Sequence, residues 1–325
     1  VILTIGMREI GSILVPVFFS IFAFLIFSPL IHWLQKKGVP GSISVGLVIL
    51  FFIIIALMTV ILVSAYLFQL SGQIPGYQIQ LLKILENFNW NLPSRLSFIN
   101  ESSFEGILRD IGAFTLGVTA GILTGTLNVG TTILLIIITT IFLLLDATGA
   151  PEKVQKGIEN QPVLLLRVTE FGKSLVNYIL IRTETNLFGG IGTAILLFIV
   201  GIDFAIFWGI ITFLFGYIPY LGFILAALPP VLLGLIKYGP LGAIGIFFGI
   251  WMINVFIENL LFPSLAGKGL KLSPSVVFLS LFYWAFVLGA GGALLAVPLT
   301  MVVKMVLEGS EETRWLAKLL ESREK

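Results

Sequence analysis

Few residues in this chain are equipped for polar chemistry, and their spacing singles out one stretch, Trp251 to Pro263, which reads WMINVFIENLLFP. Asn254 and Glu258 are four apart, so on a helix they stack on one face of an otherwise apolar segment. A carboxylate at membrane depth costs roughly 2 to 4 kcal/mol on insertion scales unless water, a partner or a proton receives it. Glu258, with Asn254 and Asn259, is therefore a candidate lining for a solute or ion path. The competing reading places Glu258 at the surface, paired with Lys268 or Lys271, with Asn259 and Pro263 as ordinary helix-end residues.

A second stretch, Gly216 to Pro230, reads GYIPYLGFILAALPP. Pro219 removes a backbone donor, Gly222 permits a tight turn, and Pro229 with Pro230 interrupts the next helix. Backbone freed inside a bilayer must be satisfied by protein or by a water-lined cavity, and this is why broken helices mark transporter sites. Tyr217 and Tyr220 then donate to a polar solute; in a plain interfacial turn they are anchors instead. The third stretch, Gly289 to Pro298, reads GAGGALLAVP. Its small residues suit either close static packing or the tip of a moving hairpin, with Gly289, Gly292 and Pro298 as the candidates. Asp146 and Asp203 fall at span ends and mark boundaries. Asn186, four residues after Arg182, fits a helix-end hydrogen bond or the lining of a cytoplasmic vestibule.

The enzyme signatures are missing: there is no phosphate loop, no His-Glu-x-x-His and no Gly-x-Ser-x-Gly. Zero cysteines exclude disulfides and thiolate metal sites, and the single histidine, His32, makes a histidine-built metal site or triad implausible. The expectation is a non-enzyme with no cofactor, no metal and no nucleic-acid partner.

The elements that hold these residues are set by the bilayer. Of 325 residues 58% are hydrophobic and 11% charged, with a mean hydropathy of +1.08; soluble domains carry about 25% charge. Spans long enough to cross run from about 11 to 34, 43 to 68, 113 to 146 and 240 to 261. Shorter apolar pieces at 186 to 201, 204 to 219, 222 to 236, 274 to 289 and 292 to 307 read as hairpins, tilted helices or re-entrant segments. Val1 to Met7 reads as the tail of a spanning helix. The organisation is thus N-terminal transmembrane helices over 1–71, an extracytoplasmic amphipathic segment over 72–112, a long transmembrane helix over 113–146, cytoplasmic amphipathic helices over 147–185, a transport core with broken helices over 186–307, and a cytoplasmic tail over 308–325. Leu164, Leu165, Val168, Phe171, Leu175 and Ile179 recur at helical spacing, which suits an interfacial helix or one packed beneath the core. Alternating the spans from Lys36 and Lys37 inside places 14 of the 19 basic residues in the cytoplasm, in keeping with the positive-inside preference. Gly117, Gly121 and Gly125 form a small-residue ridge, and with the short helices they predict a homo-oligomer.

In order and spacing the chain resembles the AI-2E transporter family from about Ile13 to Met305. The resemblance rests on Pro16 and SPLIHWL in the first complete span, IPYLG at Ile218 to Gly222 with Pro229, Glu258, Asn259 and Pro263, LSP at Leu272 to Pro274, and GALLAVP at Gly292 to Pro298. It implies an all-α polytopic membrane protein with about eight transmembrane helices, including broken or re-entrant hairpins. It also implies location in the inner membrane with both termini inside, assembly as a pentamer, and export of the furanone-type quorum-sensing signal autoinducer-2; some members are described as sodium/proton antiporters. The expectation is a secondary transporter for a small polar solute, with a cation/proton antiporter and a non-transporting scaffold or channel-like assembly as alternatives.

Overall fold

The computed structural model describes residues 2–87, 131–146, 162–266 and 272–321, and within them the chain is helical with no strand. Five helical segments are long and apolar enough to cross a bilayer: Gly11–Lys36, Gly41–Leu70, Thr169–Val200, Leu221–Leu265 and Pro274–Leu294. Two shorter apolar helices, Thr131–Asp146 and Ala205–Phe215, accompany them. Large apolar side chains cover the outside, among them Leu241, Phe198, Ile199 and Phe68. Such a surface suits the hydrocarbon of a bilayer rather than water.

Numbered along the chain, the helices are α1 (Ile2–Glu9), α2 (Gly11–Lys36), α3 (Gly41–Asn87), α4 (Thr131–Asp146), α5 (Pro162–Val200), α6 (Ala205–Phe215), α7 (Leu221–Phe256), α8 (Phe262–Ala266), α9 (Pro274–Leu294), α10 (Ala296–Glu308) and α11 (Arg314–Leu319). Glycine sets several of the turns. Gly38 and Gly201 adopt positive φ at the ends of α2 and α5, and each closes its helix with paired bonds: Val39 N–H to Leu34 O with Gly38 N–H to Gln35 O, and Ile202 N–H to Leu197 O with Gly201 N–H to Phe198 O. A straight Leu221–Leu265 segment of 45 residues would reach about 68 Å, twice the hydrocarbon thickness. It breaks at Gly239 (φ 72°, ψ −168°), just before Pro240, into two legs. The α9 helix breaks likewise at Gly289 (φ 65°, ψ −150°). Gly239 falls between the apolar pieces 222 to 236 and 240 to 261, and Gly289 ends the piece 274 to 289; Pro229 and Pro230, expected to interrupt the helix, instead lie within its first leg, where the backbone stays helical until Gly239.

Elsewhere the helices outrun the sequence boundaries. The apolar piece 186 to 201 is the C-terminal part of α5, which starts at Pro162, and α3 continues past residue 71 to Asn87. Continuous backbone hydrogen bonding carries a helix through a change in polarity that a hydropathy reading takes for a boundary. The glycine ridge Gly117, Gly121, Gly125 and the lysines Lys268 and Lys271 lie outside the described residues.

The core sits around α5, α6, α7 and α9. The most apolar windows of α5 and α9 are 33% and 39% buried, against 17% for α2, α3 and the Leu221–Leu265 segment. Helices α5 and α6 approach so closely that a Cβ on Gly209 would stand 2.6 Å from Gly190 O. At the opposite end of α5, Leu175, Tyr178 and Ile179 pack on Val297 and Met301 of α10, with Leu320 at the rim. There the α11 end is tied down by Ser273 N–H donating to Leu320 O (2.9 Å) and by Lys304 pairing with Glu321 (2.9 Å).

Candidate functional site

Two irregular pieces of backbone and one regular helix meet at one end of the core. Between α6 and α7 the chain runs through Gly216–Tyr220 without regular helix; Leu221 N–H reaches back to Pro219 O at 2.6 Å. Tyr220 holds a positive φ (61°, ψ −45°), a conformation costing a non-glycine residue about 1–3 kcal/mol that persists only where its surroundings impose it. Gly222 follows, and a Cβ there would overlap Phe215 O, so the turn accepts only glycine. The second piece is a π-helical turn over Ile257–Leu261. Such a turn bonds i to i+5. Its wider winding turns Asn259 less far from Asn254 than regular α-helix would, and Asn254, Glu258 and Asn259 share one lining. The third piece is α5, which presents Arg182.

Arg182 ties the three together. One guanidinium nitrogen (Nη1) donates to Glu258 Oε1 at 2.8 Å; Nη2 donates to Gly216 O at 2.6 Å, a carbonyl at the break after α6. The plane lies 5.4 Å from the centroid of Phe262. The Arg182 side chain is 9% exposed and that of Glu258 40%, so the cation is buried while its carboxylate faces open space. A guanidinium suits this place because its fixed fork serves two acceptors at once.

That open space is a cavity of about 680 Å³, lined by Arg182, Glu258, Asn254, Asn259, Pro219 and Tyr220, with Tyr178, Phe223, Phe262 and Pro274 among its walls. Sites for small molecules span about 300–1,000 Å³ and combine apolar walls with a few polar groups. A second, smaller chamber of about 40 Å³ shares Asn254 and Glu258 with the large cavity and is otherwise lined by Asn186, Gly189, Thr193, Thr212 and Gly222 among others.

The sequence candidates divide accordingly. Glu258, Asn254, Asn259, Pro219 and Tyr220 line the large cavity, and Gly222 lines the inner chamber. Tyr217 is instead a packing residue: its hydroxyl is 2.7 Å from Thr183 Oγ1, and its ring meets Phe22 and Phe213 edge-on. Gly289, Gly292 and Pro298 line neither space. Gly292 lies so close to Trp284 O that a Cβ would overlap it, Pro298 is buried, and its neighbour Val297 reaches the cavity wall. Arg182 was missed as a site residue. Its signal was an arginine four residues before Asn186 where α5 turns apolar. Its pairing with Glu258 across 76 positions has no local trace.

The sequence profile of the family described as AI-2E family transporter matches residues 1–311. The AI-2 transport protein TqsA of Escherichia coli (strain K12) is 28% identical over 320 residues, covering 98% of this chain and 92% of its own length. A provisionally named transport protein of Haemophilus influenzae is 29% identical over 331 residues, covering 98% of this chain and 93% of its own. YhhT of Escherichia coli (strain K12), also provisionally named as a transport protein, is 27% identical over 322 residues, covering 98% and 91%.

Proposed function

Because the chain belongs to the AI-2E transporter family, we propose that this multi-pass membrane protein is a secondary transporter of the inner membrane that exports a small, neutral, hydroxyl-rich solute, autoinducer-2 or a similar metabolite. The observation that carries the reading is the cavity that Arg182 and Glu258 line as a pair. Their charges cancel, so the site attracts neither anion nor cation strongly. What it offers is acceptors on Glu258, amides on Asn254 and Asn259, and the Tyr220 hydroxyl among aromatic walls. A neutral solute carrying several hydroxyls matches that inventory. The name of TqsA supports the same solute.

Direction follows from charge. The positive-inside preference puts Lys36, Lys37 and the tail from Lys304 in the cytoplasm. The cavity lies at the end of the core where Leu272 and Pro274 form its wall and Leu320 packs beside them. It therefore faces the cytoplasm, ready to load for export.

The test is uptake of labelled autoinducer-2 into proteoliposomes, with a parallel assay of sodium-driven pH change. Glu258→Gln preserves size and hydrogen bonding but removes the charge and the titratable proton, and neutral-solute transport is expected to survive it. Glu258→Ala leaves one arm of the buried Arg182 fork unpaired, and transport is expected to fall by about tenfold or more. Loss of solute transport in Glu258→Gln, together with a sodium-driven pH change in the parent, would replace this reading with cation/proton exchange.

A further inference from the structure

The inner chamber contains polar groups that the packing leaves unanswered. Asn186 is 4% exposed and Thr193 is fully buried, yet neither Asn186 Nδ2 nor Thr193 Oγ1 has a hydrogen-bond partner. Leaving buried donors unmatched is costly and rare in native proteins. Both side chains line the inner chamber. Arg182, Asn186, Gly189 and Thr193 follow one another at steps of four, three and four, which puts them on one face of α5. That face leads from the large cavity, past the Arg182–Glu258 pair, into the chamber, and Asn254 and Glu258 border both spaces.

At about 40 Å³ the chamber has room for water-sized groups and no more in this conformation. The two acceptors of the Arg182 bracket, Glu258 and Gly216, line both spaces, while Arg182 itself lines only the large one. Asn186 sits directly behind that bracket: a Cβ on Gly216 would stand 2.5 Å from its Oδ1. Beyond Thr193 the polar face ends, and Leu197, Trp208, Ile246 and Ile250 close the core.

We propose that the inner chamber is the closed continuation of the solute path, in which Asn186 and Thr193 form a second subsite for solute hydroxyls, and that the Arg182–Glu258–Gly216 bracket is the gate between the two. This rests on the large cavity being the loading site. The solute enters when the bracket parts, and its hydroxyls then supply the partners that Asn186 Nδ2 and Thr193 Oγ1 lack. The π-turn and the irregular Gly216–Tyr220 backbone are where the bracket's two acceptors sit, so both acceptors belong to elements other than regular helix.

The absence of native cysteine makes the test direct. Thr193→Cys and, as a control in the large cavity, Val277→Cys are each introduced into the full chain in proteoliposomes. Modification by a small neutral methanethiosulfonate is then timed, with and without Glu258→Ala. Val277→Cys is expected to react in both backgrounds. Thr193→Cys is expected to react slowly in the parent and about tenfold faster with Glu258→Ala, the factor for losing one charge-assisted hydrogen bond from the closed state. Should Glu258→Ala fail to assemble, Glu258→Gln weakens the same bond and the same ordering of rates is expected. A Thr193→Cys that stays inert in both backgrounds while Val277→Cys reacts overturns the inner subsite and leaves the loading site standing. Equal Thr193→Cys rates in the two backgrounds overturn the gate. An inert Val277→Cys removes the loading site and this inference with it.

Discussion

The two ends of the α5–α6–α7 core are made from the same three helices and behave as opposites. Around Leu197, Phe207, Trp208, Ala227, Ile246 and Ile250 the helices close on one another, helped by the glycine contact between Gly190 and Gly209. At the surface of that end the α5–α6 turn is fastened from two sides: Tyr77 donates to Asp203 at 3.0 Å, and Lys237 lies 3.7 Å from the same carboxylate and donates to Gly201 O at 2.5 Å. At the other end the same helices part around Arg182 and Glu258, and regular helix gives way twice. Apolar side chains and glycines can be packed to crystal-like density, but a guanidinium and a carboxylate fix their neighbours at hydrogen-bond distances and hold space open. One end thus acts as a seal and the other as a site.

The largest effect is expected at the seal. Trp208→Ala removes a buried indole and its Nε1–H bond to Asp203 O (3.1 Å), and a loss of about 3–5 kcal/mol follows from large-to-small truncation in a core. Thermal unfolding in detergent measures it; a shift no larger than that of a lipid-facing truncation such as Phe198→Ala would dissolve the contrast between the ends. Next comes Arg182→Lys. It retains the charge, but an ammonium cannot reproduce the planar fork on Glu258 and Gly216 O. Transport is expected to drop by about tenfold with only a small change in melting temperature, since one charge-assisted hydrogen bond carries about 1.5–3 kcal/mol. Unchanged transport would make the pair structural. The smallest effect belongs to the fastening. Tyr77→Phe removes the hydroxyl that Asp203 (3.0 Å) shares with Gln73 Oε1 (2.6 Å), and should cost about 0.5–1 kcal/mol. Burial first, then the hydrogen bond to Asp203 and its charge, push the Tyr77 phenol above its ordinary value. Folding therefore favours the protonated phenol, so this contribution is full below the unfolded pKa of about 10 and is lost as pH rises through the higher folded value. In Tyr77→Phe the alkaline part of the stability profile should flatten; an identical profile would show that the tyrosine does not fasten the turn.

The membrane class and the breaks at Gly239 and Gly289 were legible because bilayer thickness and glycine or proline chemistry act locally along the chain. Glu258 and Asn254 were legible for a similar reason, the cost of a polar group in an apolar span. Asn259 was read with them, but the π-turn that carries it follows no spacing rule based on 3.6 residues per turn. Tyr217 was legible as a tyrosine near a break, but whether its hydroxyl meets solute or Thr183 depends on a helix 34 positions away. Arg182 was hidden for the same reason in stronger form, since charge pairing between distant helices leaves no local pattern.

The separation of 76 residues between Arg182 and Glu258 also orders events while the protein is being made. At about 5–20 residues per second, ribosomes deliver the arginine roughly 4–15 seconds before its carboxylate exists. During that interval the guanidinium must be tolerated by the insertion machinery, by interfacial water, or by the Gly216 carbonyl that arrives after 34 residues. The topology of α5 is accordingly settled without help from Glu258. A chain altered at Glu258 is expected to be threaded through the membrane in the same sense as its parent and to differ only in the last step, when the helix carrying residue 258 docks.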